Sequence, residues 1–306
     1  MSRRGWLLFL AMGVIWGLPY LLIRVAVRQI DPALLVFVRT AGGALLLAPF
    51  AVRRGMVVPL LRRWKPVVAY TVVELAVPWL LLFQAERRLS SSLAGLLIAA
   101  VPIVGAVLAQ LTGTDRLDRR RVAGLGVGLG GVAVLVGVDV GASSAWAAAS
   151  LTVVACGYAL GPWILSRHLS HLPAMSVVFA SLVLCAAAYS PAVAFVLPQR
   201  ALSASVVASM AGLTLVCTAL AFVLFFALIA EVGALRATVI TYVNPAVAVA
   251  LGVGVLGERF SVGTGVGFVL VLGGCFLATR PLRGSEASAA TAPAPATITA
   301  PTVAEP

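Results

Sequence analysis

Charge is the scarcest thing in this chain. Asp, Glu, Lys and Arg make up 10% of its 306 residues, hydrophobic residues make up 61%, and the mean hydropathy is +1.08. Soluble domains carry about 25% charged residues, so the composition excludes one and points to a chain that crosses a membrane repeatedly. The acidic residues number ten and are scattered. A membrane-embedded lipid-modifying enzyme, the rival class of function, needs Asp, Glu or His clustered at a membrane face for metal or acid–base work. Lysine occurs once, as Lys65, with no G-x-x-x-x-G-K-[ST] loop around it and no soluble domain beside it; direct drive by ATP is excluded. The four cysteines, Cys156, Cys185, Cys217 and Cys275, lie in apolar runs without C-x-x-C spacing and read as small core residues. His168 and His171 are three apart with no third ligand nearby, so neither a metal nor a cofactor is expected. The rings of charged or carbonyl-rich filter residues that a channel requires are missing too.

What the chain does have is apolar runs. Ten are long enough to cross a bilayer, which takes about 17–25 residues: 6–23, 33–52, 66–85, 91–111, 122–138, 144–166, 173–196, 205–229, 237–256 and 262–279. The net charge of +12 comes from basic residues in the short loops between them, where they orient helices. Membrane lipid, and not nucleic acid, is the partner this implies. The first run follows Arg3-Arg4 in the manner of a signal peptide. It is long for an h-region and no small-x-small cleavage site follows, so it reads as the first membrane helix. The segment from Gly284 to Pro306 is rich in Ala, Pro and Thr and reads as a disordered tail.

One constant offset lays the punctuation of the first half on the second. Pro102 falls on Pro245, Asp115-Arg116 on Glu258-Arg259, Gly124 on Gly267, Gly130-Gly131 on Gly273-Gly274, and Pro19 and Arg24 on Pro162 and Arg167. The chain therefore reads as one unit written twice: residues 1–140 with five helices, 141–283 with five more, and 284–306 as the tail. Basic residues outside the spans divide fifteen to six in favour of the side holding the N-terminus, which places both termini in the cytoplasm. Five crossings are an odd number, so the second unit lies inverted. The expected fold is an all-α polytopic membrane protein of ten transmembrane helices in two inverted five-helix repeats, an arrangement that serves alternating access around a central site.

Two charged residues stand deep inside spans, Arg39 and Glu74, and a charge at mid-bilayer costs about 2.5–3.5 kcal/mol on insertion scales. Their depths suit a pair between neighbouring helices, either as a packing device or as a working site. Glu74 is the candidate for coupling, because burial disfavours the charged form of a carboxylate and lets it carry a proton. Each proline inside a helix frees the carbonyl four residues earlier: Pro78 that of Glu74, Pro162 that of Tyr158, Pro245 that of Thr241. With Tyr242 and Asn244 these form a polar set able to line a cavity, unless the prolines serve only to kink helices. Trp16 and Tyr20 are candidate aromatic walls or interfacial anchors. Gly124, Gly128, Gly263 and Gly267 give G-x-x-x-G spacing for close packing, inside the chain or across a homodimer. The Glu258-Arg259 elbow reads as a local helix-end pair.

Trp16-Gly17-Leu18-Pro19-Tyr20, followed by Arg24 and Ala26, resembles the W-G-x-x-aromatic opening of EamA-type permeases. Arg39, Pro102 and the run from Pro245 to Gly257-Glu258-Arg259 match further landmarks of that family, in register over about residues 5–280. The chain thus resembles a member of the drug/metabolite transporter superfamily, which implies export or exchange of small metabolites. Together these readings give a secondary transporter of the cytoplasmic membrane for a small solute, an amino acid or related compound, with proton coupling through Glu74 as the expectation.

Overall fold

Lipid offers no hydrogen-bond partners, so each apolar run must close its own backbone bonds, and a helix is how a single run does so. The computed structural model describes residues 1–53, 57–113, 118–139, 145–233 and 237–279. Among these, all regular structure is helical. The Asp115-Arg116 elbow and the tail from 284 lie outside the described residues.

The helices are α1 (Arg3–Ala26), α2 (Pro32–Arg53), α3 (Trp64–Ala85), α4 (Ser91–Leu111), α5 (Arg119–Asp139), α6 (Ala145–His168), α7 (Ala174–Val193), α8 (Ala204–Val232), α9 (Val239–Leu256) and α10 (Val262–Thr279). A helical turn, Val57–Leu61, precedes α3. Nine of them among the described residues are long and apolar enough to cross a membrane; the expected tenth crossing corresponds to a shorter apolar helix, Val262–Ala278. The chain is an integral membrane protein, helical in all the regular structure of its described residues. Serines start two of the helices. The Ser2 hydroxyl accepts from the Gly5 N–H at 2.9 Å, and that of Ser90 from the Leu93 N–H at 3.2 Å, each satisfying a donor the first turn leaves over. At the end of α9, Gly257 takes a left-handed φ of +66°, which stops the helix and turns Glu258 aside.

Four helices are interrupted, in matching places. α3 is π-wound over Thr71–Ala76 and α8 over Gly212–Leu220. The offset that carries Pro102 onto Pro245 carries the first of these segments inside the second. α4 breaks between Ile98 and Val101. A 3-10 turn, Thr238–Tyr242, runs into α9, which becomes α-helical at Asn244, the counterpart of Val101 under the same offset. Pro102 and Pro245 stand just inside the helices that resume, where a missing N–H costs nothing.

Packing follows the same scheme. α1 packs on α8 and α9, and α6 on α3 and α4, while α2 packs on α7, α4 on α9 and α5 on α10. In the α5–α10 contact, Gly124, Gly128 and Gly131 face Gly267 and Gly274 so closely that a Cβ on Gly274 would overlap the Gly128 backbone. Gly124, Gly128 and Gly267 thus show the expected close packing between helices of one chain. At one end of the bundle Asp31 meets Arg87 at 3.9 Å, the Ser203 N–H donates to Gln29, and Arg88 lies over Trp146. At the other, the Ser2 hydroxyl donates to Glu231 at 2.5 Å.

Candidate functional site

Arg39 points out of α2 and across the bundle. It is 6% exposed, and its Nε–H donates to the Thr218 hydroxyl of α8 at 2.9 Å, with Nη2 donating to the Cys217 carbonyl at 3.4 Å. The guanidinium lies 3.8 Å from the centre of the Trp79 ring of α3, a desolvated cation–π contact of about 2 kcal/mol. Thr218 in turn donates to the Leu213 carbonyl, five residues back, at 2.8 Å. One cation thus ties α2 to α3 and to the π-wound part of α8.

Glu74 turns the other way. It stands in the π-wound part of α3, and its carboxylate rests against Gly161 of α6, where a Cβ would overlap Oε2. Oε2 is enclosed and has no hydrogen-bond partner. Arg39 and Glu74, expected to be within reach of one another, make neither an ion pair nor a hydrogen bond. Their depths are similar, but one side chain faces α8 and the other α6. The winding adds a second carbonyl to the account at Pro78. The Val77 N–H bonds to the Val72 carbonyl, five residues back, so in this winding the missing Pro78 N–H leaves over the Val73 carbonyl. The Val73 carbonyl oxygen lies over Gly157 of α6. From α7, the Tyr189 hydroxyl donates to the Ala76 carbonyl at 2.8 Å.

Two of the three tyrosines singled out in the sequence, Tyr158 and Tyr20, lie near these charges. Tyr158 of α6 is half-buried and has Glu74, Arg39, the Trp79 indole and Glu86 as electrostatic neighbours. Tyr20 of α1 is 8% exposed, lies against Gly95 of α4 and neighbours Tyr158, Glu86 and Arg39. The remaining candidates sit elsewhere. Trp16 is midway along α1, its ring 6.5 and 4.6 Å from those of Phe222 and Phe225 of α8. The Asn244 amide, oriented to match donors with acceptors, donates to the carbonyls of Gly13 at 3.2 Å and Ile240 at 3.0 Å, a cross-link from α9 to α1. Thr241 and Tyr242 lie half-buried in the 3-10 turn before it, Tyr242 packed on the main apolar core.

Three residues that the sequence did not mark as site candidates join the site. Trp79 supplies the ring under Arg39. Glu86, the residue after α3, is 0% exposed, and neither carboxylate oxygen has a hydrogen-bond partner. Burial pushes its carboxyl well above the usual carboxylate range, with Arg24 opposing, Glu258 adding and Arg39 opposing. In sequence Glu86 stands against Arg87-Arg88, which reads as a solvated turn; nothing local marks it as buried. Glu258 makes no local pair with Arg259. Its Oε1 accepts from the N–H and hydroxyl of Ser91 at 2.7 and 2.9 Å, and its Oε2 from the N–H and hydroxyl of Ser92 at 2.9 and 2.5 Å. Burial alone would raise this carboxyl; the hydrogen bonds from Ser92 and Ser91 outweigh it and hold the group below its ordinary value. The contact pins the elbow between α9 and α10 to the first turn of α4, where a carboxylate also complements the helix dipole.

Comparison with known proteins agrees with this architecture. The EamA-like transporter family model matches the chain twice, over residues 3–137 and 145–280. The uncharacterized inner membrane transporter YedA of Escherichia coli K12 is 28% identical over 258 residues, 82% of each chain, as is its counterpart in E. coli O157:H7. A crystal structure that is 20% identical superposes with a TM-score of 0.65, covering 91% of this chain and 97% of that one, which shows a shared fold. With the family model matching both halves, the chain belongs to the EamA-like transporter family and is a membrane transporter.

Proposed function

We propose that the chain is a secondary transporter that exports or exchanges a small solute by alternating access, its two halves acting as inverted five-helix repeats of ten crossings with both termini in the cytoplasm. The observation that carries this reading is the pairing of interruptions: α4 and α9 break at equivalent positions of the two halves and pack on each other, and α3 and α8 are π-wound at corresponding positions. Exchanging the halves maps the α1 contacts with α8 and α9 onto the α6 contacts with α3 and α4. Broken helices near mid-membrane give a carrier free backbone groups around its solute, and two related halves give it two equivalent closures. The fifteen-to-six division of basic residues supports the orientation.

Glu74 is the coupling group in this reading. Its enclosed Oε2 has no protein partner, so it is available to a proton or to the cationic end of a solute. Tyr158 neighbours both Glu74 and Arg39, and Tyr20 neighbours Tyr158 and Arg39; an amino acid or related zwitterion suits a site with a carboxyl and a guanidinium that do not neutralise each other. Trp16, Thr241, Tyr242 and Asn244 position α1 and α9 at its edge.

The test is uptake into liposomes of purified protein from a panel of radiolabelled amino acids, with and without an imposed pH gradient. Glu74→Gln should retain exchange between loaded faces and lose uptake driven by the gradient. Gradient-driven uptake that survives in Glu74→Gln would remove Glu74 from coupling, and a chain that moves no member of the panel would overturn the solute class.

A further inference from the structure

We propose that Glu86 is a second proton-carrying carboxyl, held as the neutral acid while Glu258 clasps Ser91 and Ser92 and ionised when that clasp opens. The inference rests on the alternating-access reading. It starts from an electrostatic misfit: Glu86 is 0% exposed, and neither of its oxygens has a hydrogen-bond partner. Among the described residues no cation lies within ion-pair distance of it; the ion pair they form is Arg87 with Asp31. An enclosed carboxylate anion without a partner is strongly disfavoured. Arg24 reaches the same residue, but its guanidinium donates to the Glu86 backbone carbonyl and not to the carboxyl. The acid form is the one this enclosure tolerates.

The groups facing Glu86 leave that state poised. Arg24 and Tyr20 face it from α1, Arg39 from α2, Tyr158 from α6 and Glu258 from the elbow between α9 and α10. Arg24 and Arg39 favour the anion and Glu258 opposes it, so burial is what keeps the proton on. Burial here depends on the clasp. Glu86 opens the turn that leads to Ser91, and Glu258 fixes the end of that turn through four hydrogen bonds. When the elbow lets go of α4, water reaches the carboxyl, its O–H bond breaks and the proton passes to solvent.

One glycine allows the clasp to be opened without changing a charge. Gly252 of α9 lies so close beneath it that a Cβ would overlap Glu258 Oε2 and the Ser92 hydroxyl, and would sit 2.8 Å from that of Ser91. The experiment is pH-difference infrared spectroscopy of the purified full chain in lipid nanodiscs, reading the carbonyl band of protonated carboxylic acids. The wild type should show a protonated component at neutral pH that survives in Glu74→Gln, disappears in Glu86→Gln, and shifts without disappearing in Glu86→Asp. In Gly252→Ala the same component should bind its proton at least about tenfold more weakly, a full pH unit in its midpoint; Ser92→Ala, which removes one hydroxyl donor and no charge, should shift it in the same direction. A neutral-pH band unchanged by Glu86→Gln in folded protein overturns the proposal. So does a Glu86 component that titrates in both clasp variants as in the wild type. No solute is present, so a failure of the liposome assay would leave this measurement standing.

Discussion

The carboxylate of Glu74 rests against the bare Cα of Gly161, on the neighbouring turn of α6 from Gly157, which receives the Val73 carbonyl. This contact, and not a pairing with Arg39, is what holds the candidate coupling group in place. Gly161→Ala should therefore displace the carboxylate and destabilise the protein by about 1–3 kcal/mol, the usual cost of overpacking, read as a lower midpoint of thermal unfolding in detergent. Adding Glu74→Ala should restore most of that loss, since it removes the atoms the methyl strikes. A double variant no more stable than Gly161→Ala alone would show that the methyl acts through something other than Glu74.

Arg39 and Glu74 should behave as independent sites. In a double-mutant cycle, Arg39→Leu and Glu74→Leu should add to within about 0.5 kcal/mol, whereas Arg39→Leu and Thr218→Val should couple by about 0.5–3 kcal/mol, because they remove the two ends of one hydrogen bond. Strong coupling in the first cycle would restore the direct pair that the sequence suggests.

The clasp on α4 should be acid-sensitive. The folded protein holds the Glu258 carboxyl below its ordinary value, so its contribution to stability is complete above the unfolded-state value, about 4.3, and is lost as pH falls through the depressed folded value. Glu258→Gln should unfold at lower temperature than the wild type at neutral pH, because its amide NH2 replaces one acceptor with a donor facing Ser91 or Ser92. That difference should narrow as the solution is acidified below the ordinary carboxylate range. Melting points that stay equally far apart down the whole series would mean Glu258 contributes by packing alone.

Sidedness is testable at two exposed positions. Arg87 lies in the turn after α3 and forms only a long, exposed ion pair with Asp31, which is worth little. Ser170 is exposed in the turn after α6. A cysteine replacing Arg87 should react with an impermeant maleimide on intact cells, and one replacing Ser170 only after the membrane is opened. Labelling of both from the same side contradicts an odd number of crossings between them.

The sequence by itself determined the helices and marked, with a proline, two of their four interruptions. A run of about twenty apolar residues has no alternative to a helix in lipid, and a proline acts on the carbonyls of its own turn, so both features are local and can be read in order along the chain. The echo between the halves falls in the same category: it matched Pro102 with Pro245, and the structure interrupts α4 and α9 beside those prolines. The site was legible only in part. Arg39 and Glu74 were conspicuous because a charge inside an apolar run is rare, but the direction each side chain takes depends on which helices flank it. Arg39 meets Thr218 across 179 positions of sequence, and Ser91 meets Glu258 across 167. Depth in the membrane follows from counting residues; azimuth around the helix axis does not, because a π-wound turn such as Thr71–Ala76 rotates everything beyond it. Glu86 shows the limit most plainly. Beside Arg87-Arg88 it looks like surface, and the packing of α1, α2, α6 and the Glu258 elbow around it is what takes it out of water.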